Sequence, residues 1–462
     1  MYIYIYAPAM SERFLTTHEV AARAGVHKLT LIRWMKQGVV AEPRRDWRGW
    51  RVFDEAQAEA IEAFARNDNV AGISPSIQRL AELDWTFADA KTSYLTHGLH
   101  PYPAKFIPQI PNALIQELSS VEDTVADIFC GSGTTLLEAL QLKRHAVGID
   151  ANPLSALISL AKTAAPTQDQ TSELVVLLEE CRSLAAELEG RDNDLFGADA
   201  PFISKGWRPE PAVSEFWFDP HVVEELAELR LRVQRLSPVA KLIAEVALSS
   251  IIVTVSLQDS DTRYVRRAKK IELGETVRRF CKALDGAIVS TSEVADILEP
   301  RFTCRVIAGD ILAEPDVPEI DLVVTSPPYP NAFSYHLYHR TRLLWLGYDQ
   351  ARFKAEEIGS HRKYSAKGAK GQNEQNFAEE FGRIFRWLAE RMRAGKYACF
   401  VIGNSTIQGR TIDNAALLTN VAAPAGFSRE AVIEREIPST RKSFNPAHGR
   451  IKRENILILR RR

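Results

Sequence analysis

VADIFCGSGTTLLEALQLKRHAVGID, residues 125–150, decides the fold. Residues 125–129 are apolar apart from Asp127, which predicts a buried strand, and residues 136–142 have the leucine spacing of a helix. Residues 146–150 form a second apolar run that ends in an acid. Strand, helix, strand in so short a span implies a parallel sheet with a right-handed crossover. Between the first strand and the helix lies Cys130-Gly131-Ser132-Gly133-Thr134-Thr135, a turn in which two glycines let backbone approach a ligand. The helix start behind it aims N–H groups outward.

Two absences narrow what the loop can hold. No Gly-Lys-Ser/Thr follows to cradle nucleotide phosphates, and the third glycine of the dinucleotide fingerprint is missing. Asp150 lies seventeen residues after Gly133, where a carboxylate can accept both hydroxyls of a ribose. The competing reading is that Asp150 only caps a helix that begins near Asn152.

Further strands are expected at 305–308, 322–325, 397–402 and 455–459. Between the second and third, residues 152–300 turn helical, with apolar spacings of three and four over 173–188, 222–236 and 239–255. The fold class is therefore α/β, one sheet interrupted by a helical insertion. The strand at 322–325 runs into Ser326-Pro327-Pro328-Tyr329, and consecutive prolines cannot continue its ladder, so it stops at Ser326.

A separate unit precedes this, expected at 12–68 and joined by a linker at 69–92 to a catalytic domain at 93–462. Thr17 is placed to cap a short helix, Gly25 to turn the chain, and Leu29, Ile32, Arg33 and Trp34 to lie on a second helix. Residues 50–53 supply the strand of a small wing. This stretch resembles the MerR-type winged helix-turn-helix family, which implies a DNA-binding fold with Arg33 on the groove-reading helix. A scaffold that docks on protein is the alternative.

The sequence has 462 residues, 45% hydrophobic and 25% charged, with a net charge of −1 and five cysteines. No CxxC pair or Cys/His cluster indicates zinc or a disulfide framework. With no export signal and no run of about 18 apolar residues, a cytoplasmic location is expected. Net neutrality argues against a nucleic-acid partner, since such proteins often carry a basic excess, but residues 263–270 hold five Lys or Arg, 361–370 hold four and 441–453 hold five. Arg263, Arg266, Arg362, Lys363 and Arg441 are the candidate phosphate contacts, although solvated faces of this kind are common.

Asp127-Ile-Phe-Cys-Gly-Ser-Gly-Thr-Thr135 and Ser326-Pro-Pro-Tyr329 together resemble two motifs of S-adenosylmethionine-dependent DNA amino-methyltransferases. Residues 96–106, with His100, Pro101, Tyr102, Lys105 and Phe106, are similar to the family segment that folds over the methionine end of the cofactor. Residues 304–310 resemble the segment whose acid, Asp310, faces adenine. The resemblance covers roughly 96–459 and implies a Rossmann-like methyltransferase sheet. It also implies S-adenosyl-L-methionine held by those residues with Asp127, Phe129, Cys130, Gly131, Ser132, Gly133, Thr134, Asp150 and Asn152.

The amine of a base is a poor nucleophile because its lone pair is delocalised into the ring. A Ser326 oxygen and the Pro327 carbonyl accepting its hydrogens would make that nitrogen tetrahedral, and the prolines fix the carbonyl beforehand. Tyr329 would stack on a base drawn out of duplex DNA. Carbon-5 chemistry is set aside because no cysteine follows a proline, and Cys130 reads as a small packing residue. Ser at the first motif position favours cytosine N4; adenine N6 and RNA amino groups stay open, as does a non-enzymatic regulator. A companion restriction or defence protein would be encoded separately.

Overall fold

The computed structural model describes residues 14–26, 28–36, 40–46, 50–67, 74–192, 201–330, 334–360, 373–407, 410–437 and 453–462. The chain divides into two compact units, Met1–Gln78 and Arg79–Arg462.

In the first unit a helix at Thr17–Arg23 is followed by Gly25 at φ +67° and a second helix at Lys28–Lys36. The cap is Thr16 rather than Thr17: its hydroxyl accepts from the Glu19 N–H, and the Glu19 carboxylate accepts from the Thr16 N–H in return. Such a reciprocal box satisfies two donors that a helix start otherwise leaves open. Short strands at Leu15–Thr16, Arg44–Arg45 and Arg51–Phe53 pair antiparallel, with Arg51–Phe53 in the middle. Leu15, Val20, Leu31, Trp34, Phe53 and Ile61 close the core.

The second unit is built on seven strands: β1 Thr124–Asp127, β2 His145–Asp150, β3 Cys304–Ala308, β4 Ile320–Thr325, β5 Met392–Gly403, β6 Phe427–Glu436 and β7 Arg453–Arg461. Their order across the sheet is β6-β7-β5-β4-β1-β2-β3. Only β7 runs antiparallel to its neighbours. This is the Rossmann-like arrangement expected from the sequence. The chain winds outward from β1 through β2 to β3 and then returns to lay β4 on the other side of β1. At such a reversal the loops leaving the two central strands diverge and open a crevice at their carboxyl ends.

β6 is the strand that the sequence reading lacks. Its FSREAVIERE run carries five charged residues, yet Phe427 and Ile433 are buried and the whole strand pairs along β7. All six expected strands begin earlier than expected, and β1 ends at Asp127 instead of 129 because Ile128 and Phe129 already begin the loop.

The insertion contains helices at Gln168–Asp192, Pro220–Val233, Pro238–Val255 and Glu275–Ile297, which share a core that includes Leu177, Leu226, Ile243, Ile252 and Phe280. Fully buried Glu225 supplies the cap of the last of these, accepting from the N–H groups of Gly274 and Val277. Pro238–Val255 is long and apolar enough to cross a membrane by composition, contrary to the sequence reading, but 61% of that stretch is buried inside the protein. It serves as the central helix of the insertion. Residues 79–92, expected as linker, belong with the sheet unit: the Trp85 ring is buried, and its carbonyl accepts from Arg435 on β6.

Candidate active site

The glycine loop leaves β1 and enters a helix at Thr134–Gln141. Gly131 and Gly133 have φ of +49° and +73°. A Cβ on Gly133 would stand 2.8 Å from Ser159 Oγ and 2.9 Å from its Cα, so the loop lies flat on the helix Pro153–Lys162. Both the left-handed backbone and the close approach require glycine here.

Asp150 at the end of β2 holds this loop. One carboxylate oxygen accepts from the Gly131 N–H at 2.8 Å and the other from the Asn152 N–H at 2.8 Å. Each oxygen keeps a lone pair for a further donor. Burial pushes its carboxyl up to about 6 against these hydrogen bonds. The helix cap is not Asp150 but Asn152, whose Oδ1 accepts from the Leu154 N–H.

Asp127 has a different place. It is buried, accepts from the Thr325 hydroxyl at 2.6 Å and from the Phe129 N–H, and so ties β1 to the last residue of β4. Burial raises this carboxyl to about 6 as well, and its second oxygen has no partner among the described residues. Phe129 packs on Phe381 at 6.0 Å, and Cys130 is buried beside the Ser159 hydroxyl, with its thiol pushed up by burial. Ser132 accepts from the buried amine of Lys162 at 3.4 Å. Thr134 is buried at the start of its helix, while Asp310 caps a short turn at Ile311–Ala313 through the Leu312 N–H.

Residues 94–106 are fastened from below. Glu138, fully buried on the helix after the loop, accepts from Tyr94 Oη at 2.6 Å, contacts His97 Nε2 at 2.7 Å and accepts from Asn112 Nδ2 at 2.6 Å. Lys105 donates to the His97 carbonyl. His100 is buried rather than turned outward: its ring nitrogens lie 2.7 Å from the Pro101 carbonyl and 3.1 Å from Ser249 Oγ in the insertion. The fastening lays the Tyr102 ring over Gly131, 3.5 Å from where a Cβ would be, with its hydroxyl 2.7 Å from Ser155 Oγ. Pro101 is exposed and Phe106 half-buried in the same segment.

β4 stops at Thr325, and its partners β1 and β5 bring the glycine loop and Val401 alongside. The half-buried Ser326 hydroxyl donates to the Val401 carbonyl at 3.1 Å. Its proton is thereby committed to protein, which leaves the oxygen lone pairs to accept. Tyr329 Oη donates to Glu454 at 3.3 Å, and Glu454 pairs with buried Arg435 at 2.9 Å. Gly359, at φ +73°, packs against the turn so closely that a Cβ would stand 2.9 Å from the Tyr329 carbonyl and 3.2 Å from Pro328. Pro327 is buried beneath it.

Two rings that follow Tyr329 in the chain also lie beside the glycine loop. Tyr335 and His339 form a stack with Tyr102: ring centres lie 5.9 Å apart for Tyr102 and Tyr335, and 5.2 Å for Tyr102 and His339. Only the spacing of four between Tyr335 and His339, one helical turn, could have signalled this. Of the basic candidates, Arg263 and Arg267 both pair with Asp259, and Arg266 donates to the Phe216 carbonyl. All three remain on an exposed hairpin whose Tyr264 ring lies 5.8 Å from Tyr338. Arg362, Lys363 and Arg441, with the Arg33 side chain, lie outside the described residues.

A family profile described as DNA methylase matches residues 23–159, a span that holds the glycine loop and Asp150. The chain is 36% identical over 86 residues to the type II methyltransferase M.MjaII of Methanocaldococcus jannaschii, covering 18% of this chain and 16% of that protein. It is 38% identical over 96 residues to M.MvaI of Kocuria varians, covering 20% and 21%. The similarity to M.BsoBI of Geobacillus stearothermophilus extends over 340 residues at 24% identity, covering 64% and 63%. Each match therefore takes in less than two thirds of the relative's own length. Among solved structures, the rRNA methyltransferase aviRa of Streptomyces viridochromogenes overlaps 84% of this chain and 96% of its own at 12% identity, with a TM-score of 0.29.

Proposed function

We propose that this chain is an S-adenosyl-L-methionine-dependent DNA methyltransferase acting on the exocyclic amine of a base withdrawn from duplex DNA, with cytosine N4 as the target. One observation carries the reading. Ser326 gives its proton to Val401, so that a lone-pair acceptor stands beside the proline-fixed Pro327 carbonyl at the carboxyl end of β4. Two acceptors side by side suit the two hydrogens of an amino group and little else. The glycine loop, one strand away, supports the cofactor half of the reading, as does the match to DNA methylases across it.

The residues present fit the cofactor. Gly131 and Gly133 let the loop backbone take its left-handed turn between Tyr102 and Ser159, and each Asp150 oxygen accepts one backbone N–H and keeps a lone pair. When bound, the cofactor supplies an electrophilic methyl group on sulfonium. Asp150 would hold the ribose hydroxyls, and Tyr102 with its stack would close over the loop. Ser326 and Pro327 would draw the amine out of conjugation, and Tyr329, pinned through Glu454, would present its ring to the base. Orientation of this kind contributes several kcal/mol to a displacement that needs no protein nucleophile.

DNA as the partner is supported by the winged-helix pattern of the first unit and by the exposed hairpin bearing Arg263 and Arg266, as well as by the relatives' names. The full chain, incubated with labelled cofactor and duplex DNA that is then digested to nucleosides, should yield label in N4-methylcytosine. Label in N6-methyladenine would change the base, and label confined to RNA or protein would overturn the reading.

A further inference from the structure

His339 is fully buried, and neither ring nitrogen has a hydrogen-bond partner among the described residues. An unpaired buried nitrogen costs about 1–3 kcal/mol, and an imidazole offers two. Arg342, in the first turn of the helix Arg340–Leu346 that His339 precedes, is also fully buried. Its Nε donates to the Ser249 carbonyl and its Nη1 lies 2.5 Å from Asp261, while Nη2 has no partner among the described residues. Three buried polar atoms on these two side chains therefore have no hydrogen-bond partner among the described residues.

Their surroundings say what could pair with them. His339 stacks on Tyr102, which lies on Gly131, and on Tyr335 at 6.1 Å. The imidazole is one ring removed from the glycine loop, and burial, followed by the nearby Asp150 carboxylate, raises both tyrosine hydroxyls. Asp150 is committed to the ribose under the reading above, which leaves the opposite end of the same cofactor. That end is an α-amino acid, an ammonium beside a carboxylate. A neutral imidazole has one donor and one acceptor, the complement of such a zwitterion. Burial and the Arg342 charge keep His339 neutral at ordinary pH.

We infer that His339 and Nη2 of Arg342 form the site for the amino-acid end of the cofactor, the imidazole meeting both groups and the guanidinium the carboxylate. The inference rests on the cofactor reading above. Both side chains are fully buried in the chain alone, so a ligand reaches them only as the rings packed around them shift.

Two ligands separate the possibilities: S-adenosylhomocysteine, which carries the amino-acid end, and methylthioadenosine, which lacks it. Titration calorimetry on the full chain should show His339→Leu weakening the first by about tenfold or more, one hydrogen bond's worth, and the second by less than about twofold. His339→Asn, which keeps a donor and an acceptor, should recover most of the loss. Equal weakening of both ligands, or of neither, would overturn the assignment. Native protein that binds neither ligand would overturn the cofactor reading itself, before any variant is made.

Discussion

At the scale of single residues the site is a set of commitments made before any ligand arrives. Ser326 is the sharpest case. Replacing it with Ala removes one acceptor from the transition state, and preorganised groups of that kind contribute roughly 10²–10³ in kcat. Ser326→Ala should lose methyl transfer by about that factor, with duplex affinity unchanged in an anisotropy titration; persistent transfer would refute the role. Gly133→Ala places a Cβ against the Ser159 backbone at positive φ, which should cost about 2 kcal/mol and show as a lower melting temperature.

Asp127 and Asp150 give a pH signature. Both carboxyls are raised to about 6 from an ordinary 3.8. Between those values the folded chain holds protons that the unfolded chain has released. The two groups thus favour the fold as pH falls from about 6 towards 4, and their burial is a net cost once both are ionised above 6. Asp150→Asn should flatten part of that slope in denaturant melts at pH 5 and 7. An unchanged slope would mean that the carboxyl titrates as it does in the open chain.

Elements show where sequence reading succeeds and where it stops. The strand, loop and helix at residues 125–150 were legible because apolar runs and glycines are local signals. So was the end of β4, since two prolines forbid more ladder. β6 was illegible because its charged residues lie on an edge strand, where one side faces water and alternation blurs. The acid and base that pin Tyr329 were invisible for the same reason: Glu454 and Arg435 are ordinary charges until β6 and β7 pair. Removing Arg435 leaves Glu454, 17% exposed, beside a tyrosine, and breaking a buried pair costs about 3–5 kcal/mol. Arg435→Met should lose about 3 kcal/mol in chemical denaturation, and Arg435→Met with Glu454→Gln should regain part of it. His100, Asn152 and Asp310 were singled out in the sequence but their hydrogen-bond partners were not, because capping and burial depend on partners that no local pattern reveals.

For the molecule as a whole, the two units invite separate tests. Removal of residues 1–73, which stops short of the helix Pro75–Glu82, leaves the sheet unit's own core untouched. S-adenosylhomocysteine affinity should stay within about twofold. If the first unit grips DNA, duplex affinity should fall about tenfold, and the dependence on salt should weaken as phosphate contacts are lost. Unchanged duplex affinity would assign that unit to a protein partner instead.

β7 is last of the seven strands in chain order, yet it lies inside the sheet between β5 and β6. Tyr329 is separated by 125 residues from the carboxylate that pins it. A ribosome making this protein delivers the glycine loop and the Ser-Pro-Pro-Tyr turn early, on a sheet with a gap that only residues 453–461 can fill. Until that stretch clears the exit tunnel, β6 has no strand to pair with and the aromatic ring has no anchor. The nascent chain can thus carry every motif of the site while still unable to hold them in register.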